Sequence, residues 1–213
     1  MFVRDCMTQN PITVRPESDP LAAVALLKCG SFRRLPVVDE QGNLVGIVAR
    51  SDLEVFLSKA GSPGVLKRQH RVEQVMERSV VTVSPDCPLE EAANLMVTHK
   101  IGSLPVLEDD RLLGIVTETD IFQQLVSILG GGTPSLRLTV RVLDVPGQLA
   151  ELAGRIAQVG GNISSVVSYP ADQPEYLNIT LRIEGIDQDT LLDAVTGQFR
   201  LQVLHMWASA PPK

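Results

Sequence analysis

A near-repeat in the first part of the chain constrains its fold more than any other feature. Met7 aligns with Met76, Thr13-Val14 with Thr82-Val83, Pro16 with Pro85, Leu35-Pro36-Val37 with Leu104-Pro105-Val106, Gly46-Ile47-Val48 with Gly114-Ile115-Val116, and Asp52 with Asp120. The offset is 69 residues at Met7 and 68 at Gly46, so the length change falls between elements, where loops absorb it. One copy is too short to cover both faces of its own sheet and helices. Two copies packed together are the physical expectation.

Each copy has the same local grammar. An extended Thr-Val segment ends at a proline, and a helix opens at Leu21 or Leu89, with Leu21, Val24 and Ala25, or Leu89, Ala92, Ala93 and Met96, at helical spacing. Two short strands follow, Leu35 to Val38 and Leu44 to Val48 in the first copy, joined by the turn Asp39-Glu40-Gln41-Gly42-Asn43. A second helix closes each copy. In the later one, Ile121, Phe122, Leu125, Val126 and Leu129 are expected to form its buried stripe.

Composition narrows the function. At 44% apolar residues the 213-residue chain can build one sizeable core or two modest ones. A net charge of -6 argues against a broad phosphate-binding surface, so nucleic acid is not an expected partner. No apolar run reaches membrane-spanning length, and Met1-Phe2-Val3-Arg4-Asp5 lacks the pattern of a signal peptide. A cytoplasmic protein without membrane contact is expected. Cys6, Cys29 and Cys87 show no metal or redox spacing. Lys67, Arg68, His70 and Arg71 between the copies read as solvated charge.

The doubled pattern of Leu-Pro-Val, Gly-Ile-Val and a closing Asp resembles the CBS-domain pair, in which two repeats pack around a pseudo-twofold axis. The resemblance covers repeat 1 at 1–62 and repeat 2 at 63–129. It implies clefts for an adenine nucleotide (AMP, ADP, ATP or S-adenosylmethionine) as regulatory ligand, with no true cofactor and no metal. Asp52 and Asp120 would accept the ribose hydroxyls. Thr117, three residues before Asp120, would touch ribose or phosphate, whereas the first copy has Ala49 there, which supplies no hydroxyl. Ile12 to Val14 and Val81 to Val83 would line the adenine, and Arg34, beside Arg33, would contact phosphate where the second copy has Ser103. The residues also have a structural reading: Thr117 with Asp120 is a variant helix capping box, and Ser51 with Glu54 is its ordinary form.

Beyond Gly130-Gly131-Gly132-Thr133-Pro134-Ser135, a linker at 130–135, the pattern changes. Leu136, Leu138, Val140 and Val142 alternate with polar residues as a half-buried strand, and Pro146-Gly147 opens a helix with Leu149, Leu152, Ala153 and Ile156 inward. Asn162 to Ser168 and Tyr176 to Ile183 read as strands, followed by a helix over Thr190 to Gln198 and a strand from Leu201 to Trp207. This βαββαβ order, with Asp144-Val145-Pro146-Gly147-Gln148-Leu149 at the first turn and Gly161-Asn162-Ile163 after the helix, resembles an ACT domain of ferredoxin-like topology over 136–208. The resemblance implies an amino acid or related small molecule near Gly147 and Asn162, and a homodimer. The whole is expected to be α+β. The order of a CBS pair followed by an ACT domain resembles the bacterial acetoin-utilisation AcuB-like proteins.

Two functions follow from the resemblance. One is a non-catalytic, allosteric nucleotide sensor. The other is a dimeric interaction scaffold that holds an unidentified client protein and has vestigial ligand sites. An enzyme is a third and weaker reading, because His70, His99 and His205 have no partner acid or nucleophile motif nearby in sequence.

Overall fold

The computed structural model describes residues 1–59, 70–196 and 201–208. The chain divides into two units, Met1–Phe122 and Gln123–Lys213.

In the first repeat, α1 (Pro20–Cys29) starts where the Asp19 carboxylate accepts the Leu21 N–H at 2.9 Å, with proline at the first helical position. It buries Ala23, Val24 and Leu27. The expected inward Ala25 is exposed instead, because the buried stripe runs from Pro20 through Ala23 and Val24 to Leu27. Strands β2 (Arg34–Val38) and β3 (Leu44–Ala49) pair antiparallel, and α2 (Arg50–Lys59) follows. The second repeat reproduces this with α3 (Leu89–His99), β4 (Ser103–Glu108), β5 (Arg111–Thr117) and α4 (Glu118–Ile128). Parallel bridges Val14 to Val37 and Val83 to Val106 tie each Thr-Val segment to its own repeat.

The leading segment of each repeat crosses to the other. Val3 is fully buried in the core with Val83, Met96, Leu104 and Val106, while Cys6 and Met7 pack at its edge. Val72 and Met76 belong to the core of Leu27, Leu35, Val37 and Leu53. Strand β1 (Thr8–Gln9) pairs with β5 through Thr8 and Ile115, and Glu77 bridges Ile47 in the matching place. The glycine of each Gly-Ile-Val makes this crossing fit. A Cβ on Gly46 would lie 2.8 Å from Met76 Sδ and 3.0 Å from the Glu77 carbonyl, and one on Gly114 would lie 2.8 Å from Met7 Sδ and 2.9 Å from the Thr8 carbonyl.

The expected buried stripe of α4 is mostly not buried. Ile121 packs against the second repeat's core, but Phe122 is 65% exposed and Val126 is 55% exposed, with Leu125 and Leu129 also open. The helix is amphipathic as expected. Its outer apolar face is exposed. His70, expected to be a solvated charge, instead sets its ring edge-on to Phe56 with centroids 5.1 Å apart. Arg71 is exposed beside Glu73, and Lys67 and Arg68 lie outside the described residues.

In the second unit, β6 (Leu136–Leu143), β7 (Asn162–Pro170), β8 (Tyr176–Glu184) and β9 (Gln202–Ala208) form one antiparallel-paired sheet in the order β7-β8-β6-β9. Helices α5 (Gln148–Gln158) and α6 (Gln188–Thr196) complete the βαββαβ order. Leu138, Val140, Val142, Leu152, Ile156, Ile179, Leu181, Ile183 and Leu191 make its core. Leu149, expected inward, is exposed on the first turn of α5, because nothing among the described residues of this unit covers that turn. On the other face Thr139 and Thr180 are buried partners 3.0 Å apart. Gly197 and Gln198, expected at the end of the last helix, lie outside the described residues.

Candidate functional site

The two repeats of the first unit enclose a cleft of about 350 Å³. Its floor and walls come from both copies. Arg33 and Arg34 sit at the start of β2, Gly102 and Ser103 at the start of β4, Thr117 at the end of β5, and Thr119 and Asp120 on the first turn of α4. Thr8, Asn10, Pro11 and Ile12 from the crossing segment complete a wall, and Ser31 and Phe32 join it from the end of α1. The repeat symmetry explains why these ends meet. Arg34 pairs with Ala49 as Ser103 pairs with Thr117, and the Arg50 and Glu118 amides donate to the carbonyls of Arg33 and Gly102 at 2.9 and 3.2 Å.

Thr117 and Asp120 form a reciprocal cap. Asp120 Oδ2 accepts from the Thr117 amide at 2.8 Å and from the Thr117 hydroxyl at 2.7 Å, while the Asp120 amide lies 3.3 Å from Thr117 Oγ1 as donor. The capping reading of this pair therefore holds in the chain by itself. It is compatible with a binding role, because Asp120 lines the cleft and its Oδ1 has no protein donor among the described residues. The first copy differs. Ser51 does not form a capping box with Glu54: its hydroxyl donates to Asp52 Oδ1 at 3.2 Å, and Glu54 pairs with Arg50 at 2.9 Å. The helix begins at Arg50, so Ser51 is already inside its first turn and cannot act as the cap.

Of the sequence-derived residues, the cleft brings together Ile12, Arg34, Thr117 and Asp120. Asp52, Val14, Val81 and Val83 do not line it. Val14 and Val83 are buried in the repeat cores, where β-branched residues hold the parallel bridges. Asp52 is exposed on α2. The fold thus places Arg34 of the first copy with Asp120 of the second.

Sequence reasoning missed Ser103 and Thr119 as cleft residues and treated Arg33 only as added charge. Arg33 Nη2 donates to Thr119 Oγ1 at 3.3 Å, joining the two repeats across the cleft. Ser103 is 4% exposed, and its hydroxyl is buried without a hydrogen-bond partner. An unpaired buried hydroxyl costs about 1–3 kcal/mol. Its alignment with Arg34 was the available signal, since positions equivalent under the repeat meet near the pseudo-twofold axis.

Nearby, burial raises the Cys6 thiol above its ordinary value, and the charges of Asp120 and Asp5 raise it further. Its thiolate is disfavoured, which opposes a nucleophilic role. Among the described residues no group of three or more His, Cys, Asp or Glu could hold a metal. No described helix is long and apolar enough to cross a membrane.

In the second unit, Gly147 caps the start of α5 at φ 95°, a conformation that favours glycine. Asn162 opens β7 after the other end of that helix. The eleven residues of α5 span about 16 Å along its axis. Gly147 and Asn162 therefore stand at opposite ends of one helix.

Comparison with known proteins finds a family for each part of the chain. The CBS domain model matches residues 3–59 and 72–127, and the ACT domain model matches 136–197. The chain is similar to a putative acetoin utilization protein, AcuB, of Vibrio cholerae, at 32% identity over 61% of this chain and 93% of that one, with a TM-score of 0.54. It is similar to the CBS domain pair of protein MJ0100, solved with 5′-methylthioadenosine and S-adenosyl-L-methionine, at 30% identity over 60% of this chain and 97% of that one, TM-score 0.53. CBSX2 of Arabidopsis thaliana, solved in complex with AMP, is 30% identical over 60% of this chain and 97% of that one, TM-score 0.52. Two sequence blocks, two matching repeats in space and a separate βαββαβ sheet thus agree: the chain belongs to the CBS-domain family and carries a CBS pair followed by an ACT domain.

Proposed function

We propose that this chain is a non-catalytic regulatory protein whose cleft at Asp120 senses an adenosine-containing ligand. The observation that carries the reading is the convergence of Asp120, Thr117, Arg33, Arg34 and the unpaired Ser103 hydroxyl on one cleft. A diol meets a carboxylate whose second oxygen is already held by Thr117, and so whose orientation is fixed before binding. The two arginines supply donors for a phosphate, and Ile12 with Pro11 supplies an apolar wall for a base. Similar CBS pairs hold AMP or S-adenosylmethionine, which supports the same ligand class here.

Because the cleft is built from both repeats, its ligand stabilises one arrangement of the pair, and regulation follows from that differential affinity. At 100 times its dissociation constant a ligand adds about 2.7 kcal/mol of stability. Titration calorimetry and melting of the full chain with AMP, ADP, ATP and S-adenosylmethionine test this. Saturable binding, lost in Asp120→Ala and kept in Asp52→Ala, is the expected result; no heat and no rise in melting temperature with any of them refutes it.

A scaffold role has its own support in the exposed Phe122, Leu125 and Val126 of α4 and Leu129 just after it, which suit burial against a second copy. Such a homodimer, and a client protein that reads it, belong to either role. An amino acid bound by the ACT unit would be held near Gly147 or near Asn162 of a given chain, at one end of α5 or the other. Light scattering of Phe122→Glu beside the wild type tests the dimer, with a monomer expected only for the variant.

A further inference from the structure

Resting on the adenosine reading above, we propose that Arg182 couples the cleft to the βαββαβ sheet by holding the far end of α4, so that a bound ligand and the Arg182 contact strengthen each other. Helix α4 presents Thr119 and Asp120 to the cleft from its first turn. Its eleven residues span about 16 Å, and its last turn belongs to the unit Gln123–Lys213 together with the sheet.

A helix leaves its last four carbonyls without intrahelical donors, and here all four are accounted for. The Gly131 amide donates to the Val126 carbonyl at 2.7 Å and the Gly130 amide to that of Ser127 at 2.9 Å, a turn in which Gly130 takes φ 66°. The other two are capped from the sheet. The Ser165 hydroxyl donates to the Ile128 carbonyl at 2.9 Å, and Arg182 Nε donates to the Leu129 carbonyl at 2.8 Å. Ser165 and Arg182 are opposed partners on β7 and β8, so two adjacent strands grip one helix end.

Arg182 is the stronger half of this grip, because its bond is charge-assisted and a cation suits the negative end of a helix dipole. The same guanidinium donates from Nη1 to the Ser135 hydroxyl at 3.1 Å and lies 6.0 Å from the centre of the Trp207 ring. Gly130 is fitted to it, since a Cβ there would lie 2.8 Å from Arg182 Cδ. The helix is thus fixed at one end by the cap of Thr117 and Asp120 and at the other by the sheet. A rigid element held at both ends passes a tightening of its first turn to its last. The effect runs both ways: an α4 released by the sheet orients Asp120 less firmly, and the ligand binds more weakly.

The test is calorimetric titration of the full chain with AMP, ADP, ATP and S-adenosylmethionine, as wild type, Arg182→Met, Ser165→Ala and Arg137→Met. Emission from Trp207, the one tryptophan of the chain, is followed in parallel. The ligand that binds the wild type most tightly is expected to bind Arg182→Met at least about fivefold more weakly. Ser165→Ala loses less, in the same direction. Arg137→Met binds as the wild type does, because Arg137 is opposed to Arg182 on β6 yet donates to Thr139 and not to α4. The ligand is also expected to shift the Trp207 emission of the wild type and not that of Asp120→Ala. Unchanged affinity in both Arg182→Met and Ser165→Ala, an equal loss in Arg137→Met, or a Trp207 emission blind to the bound ligand overturns the proposal while leaving the adenosine reading standing. Binding of none of the four ligands by the wild type overturns both.

Discussion

The two CBS repeats have the same scaffold and different chemistry. Leu35 and Leu104, Val37 and Val106, Val48 and Val116 are all buried at equivalent places, and Gly46 and Gly114 make room for the crossing segment in the same way. The residues that could touch a ligand are not shared. Thr117 caps α4 and buttresses Asp120, whereas Ala49 leaves Asp52 exposed and bonded only by Ser51 among the described residues. Arg33-Arg34 face Gly102-Ser103 across the pseudo-twofold axis. Packing constrains both copies because each completes the other's core, while a binding site needs its polar groups only once.

This comparison breaks most severely if the scaffold is not equivalent. Leu35→Ala and Leu104→Ala each empty a fully covered site and are expected to cost about 2–5 kcal/mol, with similar losses by urea denaturation. A loss confined to one would mean that the repeats are not mutual supports. Gly46→Ala and Gly114→Ala push a Cβ against the crossing segment and are expected to cost about 1–3 kcal/mol each.

Smaller changes sharpen the chemical difference. Thr117→Ala removes the cap of α4, with an expected loss of about 1 kcal/mol together with weaker ligand binding. The reciprocal Ala49→Thr places a hydroxyl three residues before Asp52 and is expected to raise the melting temperature slightly, because it builds the cap that the first copy lacks. A melting temperature that falls would show that α2 cannot accept it.

The smallest effect is the pH response of one of the two hairpin turns. In the first, the Asn43 side chain and the Asn43, Gln41 and Gly42 amides hold the exposed Asp39 carboxyl below its ordinary value. A group lowered on folding stabilises above its unfolded pKa, and that contribution fades as the pH falls through the folded value. The Asn43 signals in an NMR titration should therefore shift below the usual aspartate value of about 3.9. The second turn carries Asp109 and Asp110 at φ 49° and 63°, without such a side-chain network among the described residues.

Most of the fold was legible in the sequence, and only part of the site was. The strands, the helices and the βαββαβ order follow from period and turn residues, which are local signals. The outward face of α4 has the same helical period as a buried one, so amphipathicity could not say whether a single chain covers it. Ser51 and Glu54 matched a capping box in spacing alone, and the start of α2 at Arg50 removed it. Thr117 and Asp120 formed theirs because the helix begins after Thr117.

The sequence by itself determined the doubled architecture, the separate third domain and the chemical asymmetry of the repeats, because each is written in residue types at fixed spacing. Only the tertiary structure decided that the leading segments cross between repeats and that Arg33 and Arg34 of one copy line the cleft of Asp120 in the other. Those choices depend on which surfaces bury each other, and residues far apart in the chain carry no local mark of it.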